Sequence, residues 1–129
     1  PPSIIASVRQ ALRVMRTRPE LRTRLWNNVA TLYDGLSAAG FRLGPVPSPV
    51  VAVHMPDIET TAGVWKALLD SGIYVNLAGA FATPNGVSLL RCSVCAAHTR
   101  EQLETVVETL TGIAASIGLL PRPVMAAAG

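Results

Sequence analysis

The sequence carries little charge, few aromatic residues and a single lysine. Of its 129 residues, 15% are charged, 5% are aromatic and 50% are hydrophobic. A composition this apolar excludes intrinsic disorder, and the length suits one domain. No apolar run approaches the roughly 20 residues that span a bilayer, and the chain does not open with a charged and then apolar leader. We therefore expect a soluble, cytoplasmic protein without an integral membrane segment.

Cysteine is also scarce, and the two cysteines present do not predict a metal site. Cys92 and Cys95 have the C-x-x-C spacing of zinc and redox motifs. On a strand, however, residues three apart point to opposite faces, and His98 alone does not complete a set of four zinc ligands. We predict two ordinary buried thiols in a reducing compartment.

Positive charge is concentrated near the start of the chain. Six arginines lie within residues 9–24, where Glu20 is the only acid. They are Arg9, Arg13, Arg16, Arg18, Arg22 and Arg24. No aromatic residues alternate with them to stack on bases. The pattern favours a solvated or interdomain helix face over a nucleic-acid site.

Apolar residues at helical spacing predict a helical arm over residues 2–39, with a second helix beginning at Thr17 or Arg18, just before Pro19. Gly40 is predicted as the left-handed residue that ends it. The first apolar stripe is Ile4, Ile5, Val8, Ala11, Leu12 and Met15. The second is Leu21, Leu25, Val29, Leu32 and Leu36. Both stripes are expected to be core or interface.

A proline-rich connector, residues 42–49, separates this arm from an alternation of strands and helices. The patterns predict a strand over 50–55, a helix capped by Asp57, a strand over 73–77, a loop over 78–86, a strand around Arg91 and a helix capped by Thr99. His54, in the first strand, is predicted to be a satisfied structural histidine. The buried stripes of the two helices are predicted as Ile58, Ala62, Trp65 and Leu69, and as Leu103, Val106, Leu110, Ile113 and Ile117.

The order β-α-β-β-α predicts an α/β (α+β) fold of ferredoxin-like type. A right-handed crossover joins the first two strands, and the third, expected to be the longest, lies between them in a small antiparallel sheet. Helices cover one face of this sheet. We place a helical arm and linker in residues 1–45, a small α/β domain in 46–118 and a loose tail in 119–129.

Arg91 stands in the middle of an otherwise apolar strand. A guanidinium keeps its charge, and burying it without a partner is prohibitive. Strand alternation places Arg91 opposite Leu90 and Cys92, so if the helices cover the latter two, Arg91 lies on the open face. The natural partner for its fork of donors is a carboxylate.

Three segments make the chain similar to the C-terminal domain of the α-oxoamine synthases: G-I-Y-V-N-L, the A-T-P-x-G loop and L-L-R-C-S-V-C-A-A-H-T. Within that family the chain most resembles bacterial serine palmitoyltransferases, through L-W-N-N, G-F-R-L-G, Y-V-N and R-C-S-V-C. The resemblance implies the small C-terminal domain of a fold-type-I, homodimeric pyridoxal-phosphate enzyme. Such enzymes condense an amino acid with an acyl-coenzyme A thioester and release carbon dioxide.

The resemblance also implies roles for individual residues. Arg91 matches the family arginine that binds the amino-acid carboxylate. Ala82, Thr83 and Pro84 match the loop beside the acyl-thioester entrance, and Ala82 and Thr83 are taken as substrate-binding candidates. His98 matches the A-x-H-T motif, but it is predicted to be structural, as is Thr99. Where relatives carry R-P-P, this chain has Gly79, Ala80 and Phe81.

The single lysine does not match the family's Schiff-base lysine, which lies in a large domain that comes first in these enzymes. Lys66 falls in the middle of a helix and is predicted to be a surface residue. No glycine-rich phosphate cradle is present. The resemblance therefore implies that pyridoxal phosphate is bound mainly by a large domain absent from this chain, and that the chain alone is inactive with no catalytic residue of its own.

Three functional hypotheses follow. The first is the C-terminal part of an acyltransferase that joins an amino acid, L-serine as first choice, to a long-chain acyl-CoA in sphingolipid-type biosynthesis. Enzymes forming 8-amino-7-oxononanoate, 2-amino-3-ketobutyrate or 5-aminolevulinate are variants of it. The second is a stand-alone ferredoxin-like regulatory module that binds a small carboxylate through Arg91. The third, an arginine-rich nucleic-acid binder, depends on the basic helix alone.

Overall fold

The computed structural model describes residues 1–120. The predicted order of helices and strands is confirmed. The elements are α1 (Pro2–Thr17), α2 (Pro19–Ala38), β1 (Val50–Met55), α3 (Ile58–Asp70), β2 (Asn76–Ala78), a short 3₁₀ helix (Ala80–Ala82), β3 (Ser88–Ser93) and α4 (Arg100–Ser116).

The sheet has the predicted topology. Its strand order is β1-β3-β2, and β3 is antiparallel to both neighbours. The third strand is therefore central, although it is not the longest, because β1 and β3 each contain six residues. Outside β1, the connector adds a short pairing in which Leu43 bridges Val53.

Helices α2, α3 and α4 pack on one face of the sheet and enclose a single core. Its fully buried large residues include Leu32 and Leu36 from α2, Leu68 from α3, Leu90 from β3 and Leu110 from α4. Helix α2, which was assigned to the helical arm, therefore shares one core with the small α/β domain assigned to residues 46–118. The domain boundary at residue 45 stays a prediction.

Helix ends follow the predicted local chemistry. Gly40 and Gly72 have φ of 97° and 79°, the left-handed conformation expected after α2 and α3. The Asp57 side chain accepts a hydrogen bond from the Thr60 N–H, and Thr99 forms a complete capping box with Gln102. Helix α2 begins at Pro19, with Arg18 as its N-cap residue.

Helix α1 differs from α2, α3 and α4 because it has no buried residue. Its stripe, predicted to be core or interface, is exposed. The relative exposure is 58% for Ile4, 69% for Ile5, 53% for Val8, 54% for Leu12 and 72% for Met15. None of this stripe contributes to the core of the described chain.

The predicted buried face of α3 is wrong except at Trp65, which is half-buried and packs against the core. The face that packs on the sheet carries Thr61, Val64 and Leu68, whereas Ile58 and Leu69 are 46% and 40% exposed. Thr61 tolerates burial because its hydroxyl donates a hydrogen bond to the Asp57 carbonyl. The helix is therefore rotated relative to the apolar stripe read from the sequence.

Other predicted boundaries also need correction. The second strand begins at Asn76 rather than residue 73, because the Val75 carbonyl accepts a hydrogen bond from Trp65 Nε1 (2.9 Å) instead of from a neighbouring strand. In the α4 stripe, Leu103 and Leu110 are buried, but Ile117 is 54% exposed because the helix ends at Ser116.

At the end of the described chain, Leu120 is buried and Leu119 packs against the core. The predicted loose tail therefore does not begin at residue 119. The rest of that prediction, residues 121–129, lies outside the described residues. Within residues 1–120, no helix is both long and apolar enough to cross a membrane.

Candidate functional site: the open face of the sheet

Arg91 lies on the sheet face that the helices leave open, as predicted. Its neighbours on β3, Leu90 and Cys92, point into the core, and the burial pattern along the strand alternates accordingly. Because β3 is hydrogen-bonded on both sides, the backbone of Arg91 is held in the most constrained part of the sheet.

The pairing register places Arg91 in a row with Ala52 on β1 and Asn76 on β2. Directly opposite residues in an antiparallel sheet have Cβ atoms about 5 Å apart and share a face. Ala52 is small and leaves space for the guanidinium on one side. Asn76 supplies an amide on the other, and its Oδ1 lies 3.3 Å from the Tyr74 hydroxyl.

The Arg91 guanidinium is free to meet a ligand. The three ion pairs within residues 1–120 join Arg18 to Glu20, Lys66 to Asp70, and Arg100 to Glu104. An exposed, unpaired guanidinium beside an amide offers up to five donors in a planar fork, the arrangement that binds a carboxylate in two places. Asn76 was not singled out as a site residue from the sequence, because its proximity to Arg91 depends on the register.

The loop candidates Ala82 and Thr83 precede β3 rather than lying beside Arg91. Ala82 ends the exposed 3₁₀ helix. The Thr83 hydroxyl donates a hydrogen bond to the Val87 carbonyl (2.8 Å), which closes the loop at the start of β3. Val87 is four residues from Arg91, or about 13 Å along a strand. Thr83 therefore helps to close the loop. Because its hydroxyl hydrogen is used in this bond, its oxygen can act only as a hydrogen-bond acceptor for another group.

The turn after β3 is fixed by contacts with His98 and Asn28. His98 Nδ1 accepts a hydrogen bond from the Cys95 N–H (3.1 Å). From α2, Asn28 Nδ2 donates to the carbonyls of Cys95 (3.0 Å) and His98 (2.9 Å). These contacts give His98 a structural role, as predicted. The role of Asn28 was missed, because contacts across about 70 residues leave no local signal in a sequence.

The two cysteines differ in their burial. Cys92 is buried, and desolvation raises the pKa of its thiol to about 11. Cys95 is exposed, so the prediction of two buried thiols is wrong for this residue. It lies beyond the last residue of β3, where alternation no longer applies. The described residues contain no cluster of side chains suited to a metal ion.

His54 also departs from prediction. It is half-buried on β1, and its Nδ1 atom is buried with no hydrogen-bond partner among the described residues. The prediction of a satisfied histidine is therefore wrong for this nitrogen. Its strand neighbours Ala52 and Leu89 offer no polar side chain, and Arg42, which the connector places beside His54, makes no hydrogen bond to it.

Lys66, the single lysine of the sequence, is not placed to form a Schiff base with pyridoxal phosphate. Lys66 is exposed and its Nζ is paired with Asp70 at 2.6 Å from Oδ2, so it is neither desolvated nor directed into a cavity. It is a surface residue, as predicted.

The chain is similar to known proteins over most of its length. The family model for aminotransferase class I and II matches residues 1–110. The chain is 50% identical, over 93% of its length, to a serine palmitoyltransferase from Caulobacter vibrioides, and 33% identical, over 93% of its length, to an 8-amino-7-oxononanoate synthase from Alkaliphilus oremlandii. It spans only about 30% of the length of each.

The fold of this chain is also similar to that of a solved structure. A serine palmitoyltransferase from Sphingomonas paucimobilis, with a bound PLP–myriocin aldimine, superposes on 93% of this chain with a TM-score of 0.87 and 45% sequence identity. The superposition covers 31% of that protein. The structural neighbours are therefore fold-type-I pyridoxal-phosphate enzymes, and the chain corresponds to a part of one. The chain belongs to the aminotransferase class I and II family.

Proposed function

We propose that this chain is the C-terminal part of a pyridoxal-phosphate-dependent acyltransferase that condenses an amino acid with a long-chain acyl-CoA and releases carbon dioxide. L-Serine is the proposed amino acid, and the product is a 3-oxo amine of sphingolipid-type biosynthesis. The identity to serine palmitoyltransferases, higher than that to the 8-amino-7-oxononanoate synthase, supports this substrate choice over the related synthases.

The observation that carries the proposal is the exposed, unpaired guanidinium of Arg91 on the open face. We assign it to the substrate carboxylate. The cofactor, when bound elsewhere in the enzyme, supplies the electron sink for the chemistry. Arg91 contributes orientation, because a carboxylate held in two places fixes the direction of the bond from the α-carbon that is to be broken. Ala82 and Thr83 stay secondary substrate-binding candidates at the neighbouring loop.

Helix α1 supports the proposal that the chain works as part of a larger enzyme. A helix of 16 residues with five large apolar side chains more than half exposed is poorly suited to water. The chain spans about 30% of the length of its relatives, so we propose that the large cofactor-binding domain of the same enzyme covers this stripe. A stand-alone carboxylate-binding module would leave the stripe uncovered. A homodimer and a cytoplasmic location complete the proposal.

The test is Arg91→Ala in the full-length enzyme that contains this segment. Loss of a charged, two-point contact is expected to weaken L-serine binding about 100-fold, corresponding to roughly 3 kcal/mol, while cofactor content and the KM for acyl-CoA stay unchanged. The affinity for L-serine is measured by titrating the visible absorption of the bound cofactor.

Two controls make the result specific. L-Serinamide lacks the carboxylate, so the preference for L-serine over L-serinamide should be large in the parent enzyme and small in Arg91→Ala. Arg100→Ala removes an exposed arginine that is paired with Glu104 on α4 and should not change L-serine binding. Equal L-serine affinity in Arg91→Ala and the parent enzyme would remove Arg91 from the site.

A further inference from the structure

A second group of nitrogen donors lies on the open face of the sheet, apart from Arg91. The connector runs antiparallel to β1, where Leu43 bridges Val53 and the His54 N–H donates a hydrogen bond to the Arg42 carbonyl (2.9 Å). This register places Arg42 directly opposite His54. Leu43 packs against the core, so the residue before it points the other way, onto the open face with His54. Arg42 and His54 are called the connector pair below.

Neither side chain of the connector pair has a partner within residues 1–120. Arg42 is exposed, and its guanidinium takes part in none of the three ion pairs. His54 Nδ1 is buried without a hydrogen bond, whereas its Nε2 atom is not enclosed. Because a buried N–H without an acceptor is costly, the ring hydrogen belongs on Nε2, where it can be donated to a ligand.

The surroundings of the connector pair favour an anion. None of the side chains that β1, β2, β3 and residues 42–44 place on the open face is acidic. Arg42 and His54 also border a cavity of about 280 Å³ at the end of β1, together with Pro56 and Val87. Unpaired donors, space beside them and no competing carboxylate on the same face are the conditions under which an anionic group binds.

The connector pair is separate from the proposed amino-acid site. Two strand spacings of about 4.8 Å and one step of two residues along a strand place the Cβ atoms of Arg42 and Arg91 about 12 Å apart. L-Serine carries one carboxylate, which is assigned to Arg91, and the acyl thioester is uncharged. The remaining anionic groups of the two proposed substrates are the phosphates of coenzyme A, which the pantetheine arm holds away from the thioester.

We propose that Arg42 and His54 bind a phosphate group of the acyl-CoA substrate. This inference rests on the proposed function and adds to it the residues that recognise the charged part of coenzyme A. Arg42 supplies the positive charge and a planar fork of donors, and His54 Nε2 supplies one donor from the neighbouring strand. The pair acts on the thioester substrate and not on the amino acid.

The test compares three thioesters as substrates of the full-length enzyme at saturating L-serine, with release of the free thiol as the readout. They are palmitoyl-CoA, palmitoyl-dephospho-CoA, which lacks the 3′-phosphate, and S-palmitoyl-pantetheine, which lacks every phosphate. Arg42→Ala should lower kcat/KM for palmitoyl-CoA about tenfold, because a hydrogen bond to a charged group is lost. It should leave kcat/KM for S-palmitoyl-pantetheine unchanged.

Matched variants separate charge from other effects. Arg42→Lys keeps the charge and should keep most of the preference for palmitoyl-CoA over S-palmitoyl-pantetheine. His54→Leu removes the donor and should lower this preference about fivefold, whereas His54→Gln keeps a donor and should lower it less. Arg100→Ala removes a charge from α4, on the far side of the sheet, and should leave the preference unchanged.

The dephospho thioester identifies the bound phosphate. If Arg42→Ala affects palmitoyl-dephospho-CoA as little as S-palmitoyl-pantetheine, the bound group is the 3′-phosphate. If Arg42→Ala affects it as strongly as palmitoyl-CoA, the bound group is the diphosphate. Either result supports the connector pair as a phosphate site.

The outcomes separate this inference from the function it rests on. If the parent enzyme consumes none of the thioesters, the proposed function fails and the inference fails with it. If the parent is active but Arg42→Ala leaves kcat/KM for palmitoyl-CoA unchanged, or lowers it equally for palmitoyl-CoA and S-palmitoyl-pantetheine, the function stands and the inference is overturned.

Discussion

Replacement of Asn28 tests whether the turn after β3 is held by a side chain from α2. In the structure one amide nitrogen, Nδ2, donates to two carbonyl oxygens at 3.0 and 2.9 Å, those of Cys95 and His98. The turn leads from the strand of Arg91 into the capping box of α4. Asn28→Ala removes both hydrogen bonds, and Asn28→Asp replaces the donor with an oxygen.

The expected magnitudes follow from these contacts. Each hydrogen bond contributes about 1 kcal/mol, so Asn28→Ala should lose about 2 kcal/mol of unfolding free energy. Asn28→Asp should lose more, about 3 kcal/mol near neutral pH, because a carboxylate would face two carbonyl oxygens. Those oxygens would raise the carboxyl pKa in the folded state above its unfolded value of about 3.9. The aspartate variant should therefore regain stability as the pH falls through that raised pKa, and lose it as the pH rises.

The assay is equilibrium unfolding of the purified chain in urea. Asn27→Ala is the matched control, because Asn27 is exposed on the same helix and its side chain makes no hydrogen bond within residues 1–120. The unfolding free energy of Asn27→Ala includes the gain in helix propensity that any Asn→Ala change on this helix brings. The difference in unfolding free energy between Asn28→Ala and Asn27→Ala therefore measures the contacts of Asn28. Equal stability of the two alanine variants, or an aspartate variant no worse than Asn28→Ala, would refute the reasoning.

Two further predictions concern packing and burial. Gly35→Ala would place a Cβ 2.9 Å from Val107 Cγ2 and force α2 away from α4, so we expect a loss of about 1–2 kcal/mol in urea unfolding. Gly112→Ala has no atom within 4 Å and should instead gain about 0.5–1 kcal/mol; equal effects would contradict the close helix contact. Iodoacetamide should modify Cys95 in the folded chain and Cys92 only after unfolding. Because the Cys92 pKa is raised from 9.0 to about 11, stability should fall by up to about 3 kcal/mol as the pH rises across that interval, and Cys92→Ala should abolish this slope.

Local signals in the sequence predict much of this fold. The bounds of β1 are exact because an apolar, β-branched run is followed at once by proline and a helix cap at Asp57. The open-face position of Arg91 follows from strand alternation once Leu90 and Cys92 are taken to face the helices. The caps at Asp57 and Thr99 and the left-handed glycines depend on nearest neighbours, and for that reason they are readable without the tertiary structure.

The errors arise where a distant contact decides the outcome. The face of α3 is set by Thr61, which a hydropathy pattern counts as polar although its hydroxyl is satisfied by the helix itself. The start of β2 depends on Trp65 taking the Val75 carbonyl. Asn28 and Asn76 gain their roles through partners 70 and 15 residues away, at His98 and Arg91, and such partners become visible only when the chain has folded.

Strand β3 has a consequence for how this enzyme family can diversify. Leu90 and Cys92 face the helices and belong to the core, while Leu89, Arg91 and Ser93 lie on the open face, where the substrate site is proposed. The two sets alternate in one strand and share no side-chain surroundings. Mutations at Leu89, Arg91 or Ser93 should therefore alter substrate preference with little loss of unfolding free energy. New specificities would then be accessible by single substitutions, without prior stabilisation of the core.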